Sequence, residues 1–311
     1  MSKNKMPLVS ILIPTYNRPT YFQIALDSAI KQTYKNIEII ITDDSTNDET
    51  YNCIQPYLKK HNNIFYYKNP ATLGGPHNFI NAYEKSNGEY INFLMDDDIF
   101  SPNKIEKMLS YFLEDSTHKI TLITSYRPYI DENGNSIPDT IHNQKKFQQA
   151  TVLEGNQAGN SIISEFNWIG EPTTPLFRKK DLTEPFGFFS KRLYRSGVDI
   201  ATWLNLLSKG NLLYIPEPLS KLRLHTKNIS KSPQMIMNAL QDLLHLLFHA
   251  KKYSFLKEKD TYQLAIKNVY KLLWLRKNQM KFNEEQNQEI NYYILLFQKL
   301  LYYQIQKEEL N

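Results

Sequence analysis

Glu89–Pro102 reads EYINFLMDDDIFSP, and its two halves demand different surroundings. Tyr90, Ile91, Phe93, Leu94 and Met95 form a near-continuous apolar run, the signature of a buried strand. The run stops at three adjacent carboxylates, Asp96, Asp97 and Asp98. Like charges at the end of a buried strand repel one another and lose hydration. A hard divalent cation relieves that cost, because it takes carboxylate oxygens as ligands. In open α/β sheets, ligands bind beyond the carboxyl ends of the strands. A cation–diphosphate site is therefore one reading. The plainer one is a solvated acidic turn, with Asp98 or Ser101 capping a helix that starts near Pro102.

The residues before this stretch repeat the pattern. Leu8–Ile13 (LVSILI) is a strand broken at Pro14 and followed by the polar loop Thr15-Tyr16-Asn17-Arg18. A helix over about 20–32 places Phe22, Ala25, Leu26, Ala29 and Ile30 on one face. Ile37–Ile41 is a second strand, ending in Asp43 and Asp44. A helix over about 49–61, a short strand at Ile64–Tyr67, the loop NPATLGGP and a helix over 76–86 lead back to Tyr90. Alternating strands and helices argue a parallel sheet with right-handed crossovers. Its strand ends lie side by side, so Asp43/Asp44, Asp96–Asp98 and the TYNR loop converge on one crevice. Neither a Walker A loop nor GxGxxG after the first strand is present. Carboxylates gather instead where a nucleotide would sit, suited to a base N–H, ribose hydroxyls or a metal on a diphosphate. Asp-rich turns are common, so coincidence is the competing reading.

Composition sets the outer bounds. With 311 residues, the chain is long enough for one large domain and an appendage. A net charge of +5 admits anionic substrates or an anionic membrane surface and does not call for nucleic acid. The single cysteine, Cys53, excludes an intrachain disulfide and a cysteine-based metal site. The start of the chain lacks a signal-peptide core, and no segment is apolar for the ~20 residues a span needs. A soluble or peripheral cytoplasmic protein is expected.

Three blocks carry a family resemblance: VSILIPTYNRPTYFQIALDSAIKQTYKNIEIIITDDSTNDET, GEYINFLMDDDIFSPNKI and LYIPEPLSKLRLHTKNIS. Residues 7–229 resemble a family 2 glycosyltransferase of the GT-A fold. The resemblance implies an α/β architecture, a mostly parallel Rossmann-like twisted sheet flanked by helices. It divides the chain into a catalytic domain, 1–229 (a nucleotide half, 1–100, and an acceptor half, 101–229), and a helical region, 230–311. It also implies transfer of a hexosyl or N-acetylhexosaminyl group from a UDP-sugar, with inversion, assisted by Mn2+ or Mg2+. Carried over by motif, Pro14, Thr15, Tyr16, Asn17 and Arg18 lie near the nucleotide, with Asp43, Asp44 and Asn78. Asp44 is the base contact, and Asp96 lies near the ribose. Asp97 is the principal metal ligand, with Asp98 as a third carboxylate. The family's D-x-D motif begins at Met95 here, so its first aspartate is replaced. His77 stands where the family commonly has Arg.

The resemblance also assigns the second half. Ile120–Ser125 is a further strand, and 126–160 a long connection on the acceptor side. In NWIGEPTTPLFR, Trp168 and Glu171 are acceptor-side candidates. Trp168 could stack on a sugar face or pack in the core. YRSGVDIATWLNLLSK carries Asp199 just before a helix face of Ile200, Trp203, Leu204 and Leu207. Asp199 matches the general base, with Val198 in place of the usual glutamate. A first-turn acid favoured by the helix dipole is the alternative. Leu212–Ile215 reads as an edge strand. In LRLH, His225 approaches the metal or diphosphate, supported by Arg223 or Lys227.

From Pro233 onward two or three Lys-flanked amphipathic helices follow, expected to pack on the catalytic domain. A homodimer interface or an anionic membrane surface on the inner face of the cell membrane are the other readings. The acceptor is expected to be a glycan, lipid-linked or protein-linked, in bacterial surface polysaccharide synthesis. Met95, Val198 and His77 support a second possibility, a decayed nucleotide-sugar or glycan-binding module. A nucleotidyltransferase is a third, disfavoured by the YN and LRLH contexts.

Overall fold

A computed structural model describes residues 6–225 and 232–309. Lys227 and the expected boundary at 229/230 lie outside the described residues. The first half alternates as its hydrophobic pattern requires: β1 Val9–Thr15, α1 Pro19–Ile30, β2 Ile37–Asp43, α2 Glu49–Leu58, β3 Ile64–Lys68, α3 Gly75–Lys85 and β4 Tyr90–Phe93. Shorter elements follow: β5 Ile99–Phe100, α4 Lys104–Glu114, β6 Ile120–Tyr126, β7 Tyr129–Ile130, β8 Ser136–Ile137, β9 Thr151–Leu153 and α5 Gly155–Ser164. Then come β10 Leu176–Arg178, β11 Phe188–Phe189, β12 Arg192–Leu193, α6 Val198–Leu207, β13 Asn211–Pro218 and β14 Ser220–Arg223. Helices α7 Pro233–His249, α8 Lys259–Gln279 and α9 Glu284–Glu309 complete the described chain.

Among the described residues the main sheet has eight strands in the order β3-β2-β1-β4-β10-β6-β13-β9. The β1, β2, β3 and β4 pairings are all parallel, with Val9 opposite both Ile37 and Tyr90. Every residue of β1 and β2 is buried, as expected for strands covered by helices on both faces. Beneath them α1 contributes Phe22, Ala25, Leu26 and Ala29, all fully buried. Complete burial of Phe22 or Leu26 contributes about 1.5–3 kcal/mol each.

Two pairings differ from the sequence reading. β10 inserts antiparallel between β4 and β6. β13, expected at an edge, lies between β6 and β9, parallel to the former and antiparallel to the latter. Its edge is covered by three residues of β9 from within the expected long connection 126–160, in which α5 also begins. The acidic turn does not cap α4, since the N-cap position is Asn103.

A four-stranded sheet, β5-β14-β7-β8, lies beside the main one. The antiparallel pair Ser220↔Phe100 brings the end of the acidic turn against Arg223 and His225. The C-terminal helices belong to the same hydrophobic core as β4, α5 and α6: Ile236, Leu240, Phe255, Ile266 and Phe297 are buried with Phe93, Ile162 and Trp203.

Candidate active site

The ends of β1, β2 and β4 surround a cavity of about 260 Å³ whose walls include Pro14, Thr15, Asp44, Asn78 and Asp96. A second cavity, about 540 Å³, shares Arg18, Gly75, Phe79 and Met95 with the first and runs on past Asp97 to Glu171 and Asp199. The two make one continuous cleft.

Asp96 faces back into the sheet end. Its Oδ2 accepts from Thr15 Oγ1 at 2.9 Å and Tyr16 N at 3.2 Å, and its Oδ1 from Arg18 Nη1 at 3.2 Å. Burial, and then the Asp97 charge, push its carboxyl up to about 6 despite Arg18. Asp97 Oδ2 lies 2.8 Å from Arg18 Nη1 and 2.9 Å from His225 Nε2. Asp98 turns the other way. It accepts from Thr173 Oγ1 and, at 2.9 Å, from Arg223 N, and burial together with Asp97 raises it well above the carboxylate range. Arg223 braces the turn, with Nε on the Asp97 carbonyl at 2.8 Å and Nη1 on the Asp131 carbonyl at 2.9 Å.

Among the described residues, no cluster of three or more His, Cys, Asp or Glu is arranged to hold a metal. The expected trio therefore separates. Asp97 and His225 converge, whereas the buried Asp98 serves the turn through Thr173 and Arg223. A magnesium-type ion takes one or two protein carboxylates and fills its shell with phosphate oxygens and water. The Asp97–His225 pair fits such an ion when a diphosphate completes the coordination.

The remaining nucleotide-side candidates divide between lining and bracing. Pro14, Thr15, Tyr16, Arg18, Asp44 and Asn78 line the first cavity. Asp44 also organises its rim, accepting from Asn69 Nδ2 at 2.6 Å, Leu73 N at 3.1 Å and Gly74 N at 2.9 Å. Asn17 ties the loop after β1 to the loop after β2, its Oδ1 accepting from Thr46 N at 3.0 Å. Asp43 is fully buried and lines neither cavity, being bound to Ser45 N at 2.8 Å, Tyr66 Oη at 2.6 Å and Lys68 Nζ at 3.3 Å. His77 faces a separate groove with Tyr66 and Glu84. The guanidinium groups that line the cleft are those of Arg18, Arg195 and Arg223.

On the acceptor side, Asp199 is the second residue of α6 and its Oδ2 accepts from Asn167 Nδ2 at 2.8 Å. Burial raises it to about 6; the Glu171 charge adds to this, while helix N–H groups and Asn167 oppose it. Glu171 lines the cleft, half-exposed, and pairs with the buried Arg127 at 2.7 Å. Trp168 offers no face to a sugar. It is 4% exposed, donates from Nε1 to Ser161 Oγ at 2.9 Å, and packs edge-on against Phe147 and Tyr214.

The profile of Glycosyl transferase family 2 matches residues 10–200, which include the acidic turn and Asp199. The chain belongs to this family.

Among its relatives is the Bacillus subtilis putative teichuronic acid biosynthesis glycosyltransferase TuaG, 30% identical over 230 residues, covering 74% of this chain and 84% of TuaG. An uncharacterized glycosyltransferase of Rickettsia typhi is 35% identical over 226 residues, covering 70% of this chain and 64% of its own. The match spans 35% of a relative from Rickettsia felis and 59% of one from Haemophilus influenzae. The crystal structure of S. aureus TarS 1-349 in complex with UDP-GlcNAc superposes with a TM-score of 0.67 at 18% identity, covering 91% of this chain and 79% of that one. That likeness establishes the GT-A fold for this family 2 chain.

Several polar contacts of the family 2 chain were not legible in sequence. Thr173, Asn167 and Arg127 hold Asp98, Asp199 and Glu171 respectively. Each bond crosses between segments far apart in the chain, and none of these residues sits in a periodic pattern.

Proposed function

We propose that this chain is an inverting, metal-assisted glycosyltransferase that moves a hexosyl or N-acetylhexosaminyl group from a UDP-sugar to a hydroxyl of a glycan, lipid-linked or protein-linked acceptor. The observation that carries the reading is the single cleft, with Arg18 and Asp97 midway, the buried His225 side chain against Asp97, and the raised carboxyl of Asp199 at its far end. Structures of S. aureus TarS hold UDP and UDP-GlcNAc, which supports a uridine nucleotide at the β1/β2/β4 end. TuaG's assignment to teichuronic acid synthesis supports a bacterial surface polymer as the product.

In this reading Asp44 and Asn78 meet the nucleotide, Asp96 lies beside the ribose, and Arg18 turns from the carboxylates to the diphosphate. Asp97 and His225 would hold Mn2+ or Mg2+, and the ion would supply positive charge to the departing diphosphate. Asp199, ionised, takes the proton of the acceptor hydroxyl. The hydroxyl oxygen bonds to the anomeric carbon as the bond to the diphosphate oxygen breaks, and UDP leaves with that electron pair. One displacement from the opposite face inverts the anomeric configuration. Residues 1–229 would form the catalytic unit and 230–311 a helical region.

Exposed Leu264, Trp274 and Leu275 on α8 are interleaved with Lys267, Lys271, Arg276 and Lys277. This mixture supports peripheral contact with the anionic cytoplasmic face of a membrane, where lipid-linked acceptors reside. Among the described residues no helix is long and apolar enough to cross a membrane. Sedimentation with phosphatidylglycerol vesicles, but not phosphatidylcholine vesicles, is the expected outcome; self-association without vesicle binding would favour a homodimer instead.

Met95 in the cleft and Val198 beside Asp199 favour the second reading, a binding module without turnover. Calorimetric titration of UDP and GDP, with and without Mn2+, tests the donor half. UDP should bind more tightly with the metal, and Asp97→Ala should erase that difference. Failure of both nucleotides to bind would contradict the proposal.

A further inference from the structure

The loop that delivers Asp199 is held by a helix outside the family-matched residues. Asp242, on α7, is 2% exposed. Its Oδ2 accepts three successive backbone N–H groups, from Arg195 at 2.9 Å, Ser196 at 2.9 Å and Gly197 at 3.2 Å. Its Oδ1 accepts from Arg192 Nη2 at 3.3 Å. Gly197 is the N-cap residue of α6 and supplies no side-chain cap of its own. Of the three N–H groups, only that of Gly197 belongs to the helix end; Arg195 and Ser196 precede it, so the carboxylate fixes the chain leading into α6 and lies at the positive end of the helix dipole. Here that carboxylate arrives from 45 residues downstream.

The same helix faces the acceptor side of Asp199. A cavity of about 280 Å³ has Asn167, Glu171 and Asp199 on one wall and Ala239, Leu243 and Leu246 of α7 on the other. We infer that Asp242 is a positioning residue for sugar transfer: it clamps the backbone of 195–197, fixes the start of α6 and so sets the Asp199 carboxylate, while α7 completes the acceptor wall. This rests on the reading of Asp199 as the base. It makes the C-terminal helices part of the active site rather than an attachment to it.

The test uses the full chain carrying 13C-labelled aspartate, titrated by NMR, with the Asp199 signal assigned by its loss in Asp199→Asn. Glu171 and Asn167 face Asp199 from the 167–171 loop, and both stay unchanged in every variant compared. In Asp242→Ala the start of α6 loosens and hydrates. The Asp199 midpoint should fall by about one pH unit toward the ordinary carboxylate range, and amide exchange across 195–199 should accelerate about tenfold. Asp242→Asn removes the same charge but keeps an oxygen for the N–H groups, so both readouts should stay near wild type. UDP affinity should be unchanged in all variants, because neither Asp242 nor the 195–197 backbone it holds lines the cavity at the ends of β1, β2 and β4. If the alanine variant does not fold, Asp242→Ser, too short to reach the three amides, gives the same comparison. An unmoved Asp199 midpoint with unmoved exchange overturns the inference. So does a lower melting temperature with Asp199 still titrating as in wild type, which would make Asp242 a structural staple only. Amide exchange does not depend on what Asp199 does. An Asp199→Asn variant that still turns over would therefore sink the base reading separately.

Discussion

At the scale of single residues, the three adjacent aspartates show how far a motif can be read. Their charges and their place at a strand end were visible in the string DDD. Their division of labour was not, because it depends on partners far away in the chain: Thr15 and Arg18 for Asp96, His225 for Asp97, Thr173 and Arg223 for Asp98. Trp168 was ambiguous for the same reason, and its environment settles it as core. Asp199 yields a prediction with a sign. Its folded value, about 6, is raised by burial, and a base must be ionised, so kcat should rise with pH through about 6 and level off above 7. Stability should run the other way. A carboxyl raised in the folded state favours folding while protonated, and this contribution is lost as pH rises from the unfolded value near 4 through the folded one. Asp199→Asn should therefore unfold at a higher temperature than wild type at pH 8, by roughly 1–3 kcal/mol, and match it at pH 4. Differential scanning fluorimetry across pH checks this; a variant less stable at pH 8 would contradict it. Arg18→Gln should weaken UDP binding by about tenfold, or ~1.4 kcal/mol, without changing the melting temperature by more than a few degrees.

At the scale of elements, period and punctuation sufficed where strands were long and buried. The βαβ alternation through β4 followed from apolar runs ending at Pro14, Asp43 and Met95. From β7 to β12 the strands shrink to two or three residues, too short for periodicity to register. The antiparallel insertion of β10 is a long-range pairing that no local pattern encodes. Helix α5, GNQAGNSIIS, was missed because its small polar residues read as loop. Its Gly159 is there for close approach: a Cβ would lie 2.2 Å from the Phe255 ring, so Gly159→Ala should cost about 1–3 kcal/mol through overpacking. Gly74 is a different case. Its φ of +82° suits glycine, yet a Cβ there would meet nothing within 4 Å. Gly74→Ala should then cost only about 1–2 kcal/mol of backbone strain, concentrated in the loop that Asp44 holds. Isothermal titration should show weaker UDP binding with little loss of thermal stability; unchanged affinity would mean that the loop does not shape the nucleotide cavity.

At the scale of the whole molecule, one core runs from the sheet through α6 into α7 and α8. Amphipathic helices beyond Pro233 were legible and were expected to pack on the catalytic domain, as they do; which elements they cover was not legible, since periodicity gives a face and never its partner. Removing 232–311 would expose Trp203-side core surface along α5 and α6, so a truncated chain should aggregate on expression. The continuous cleft also spans this whole, from the ends of β1, β2 and β4 to Asp199 on α6. The measurement that tests the account most directly compares wild type with Asp199→Asn in two assays: UDP release from UDP-GlcNAc and other UDP-sugars, and UDP binding with Mn2+. The account predicts turnover reduced by about 10²–10⁴-fold with UDP affinity essentially unchanged. Turnover within a few-fold of wild type, or UDP binding lost together with turnover, would contradict it.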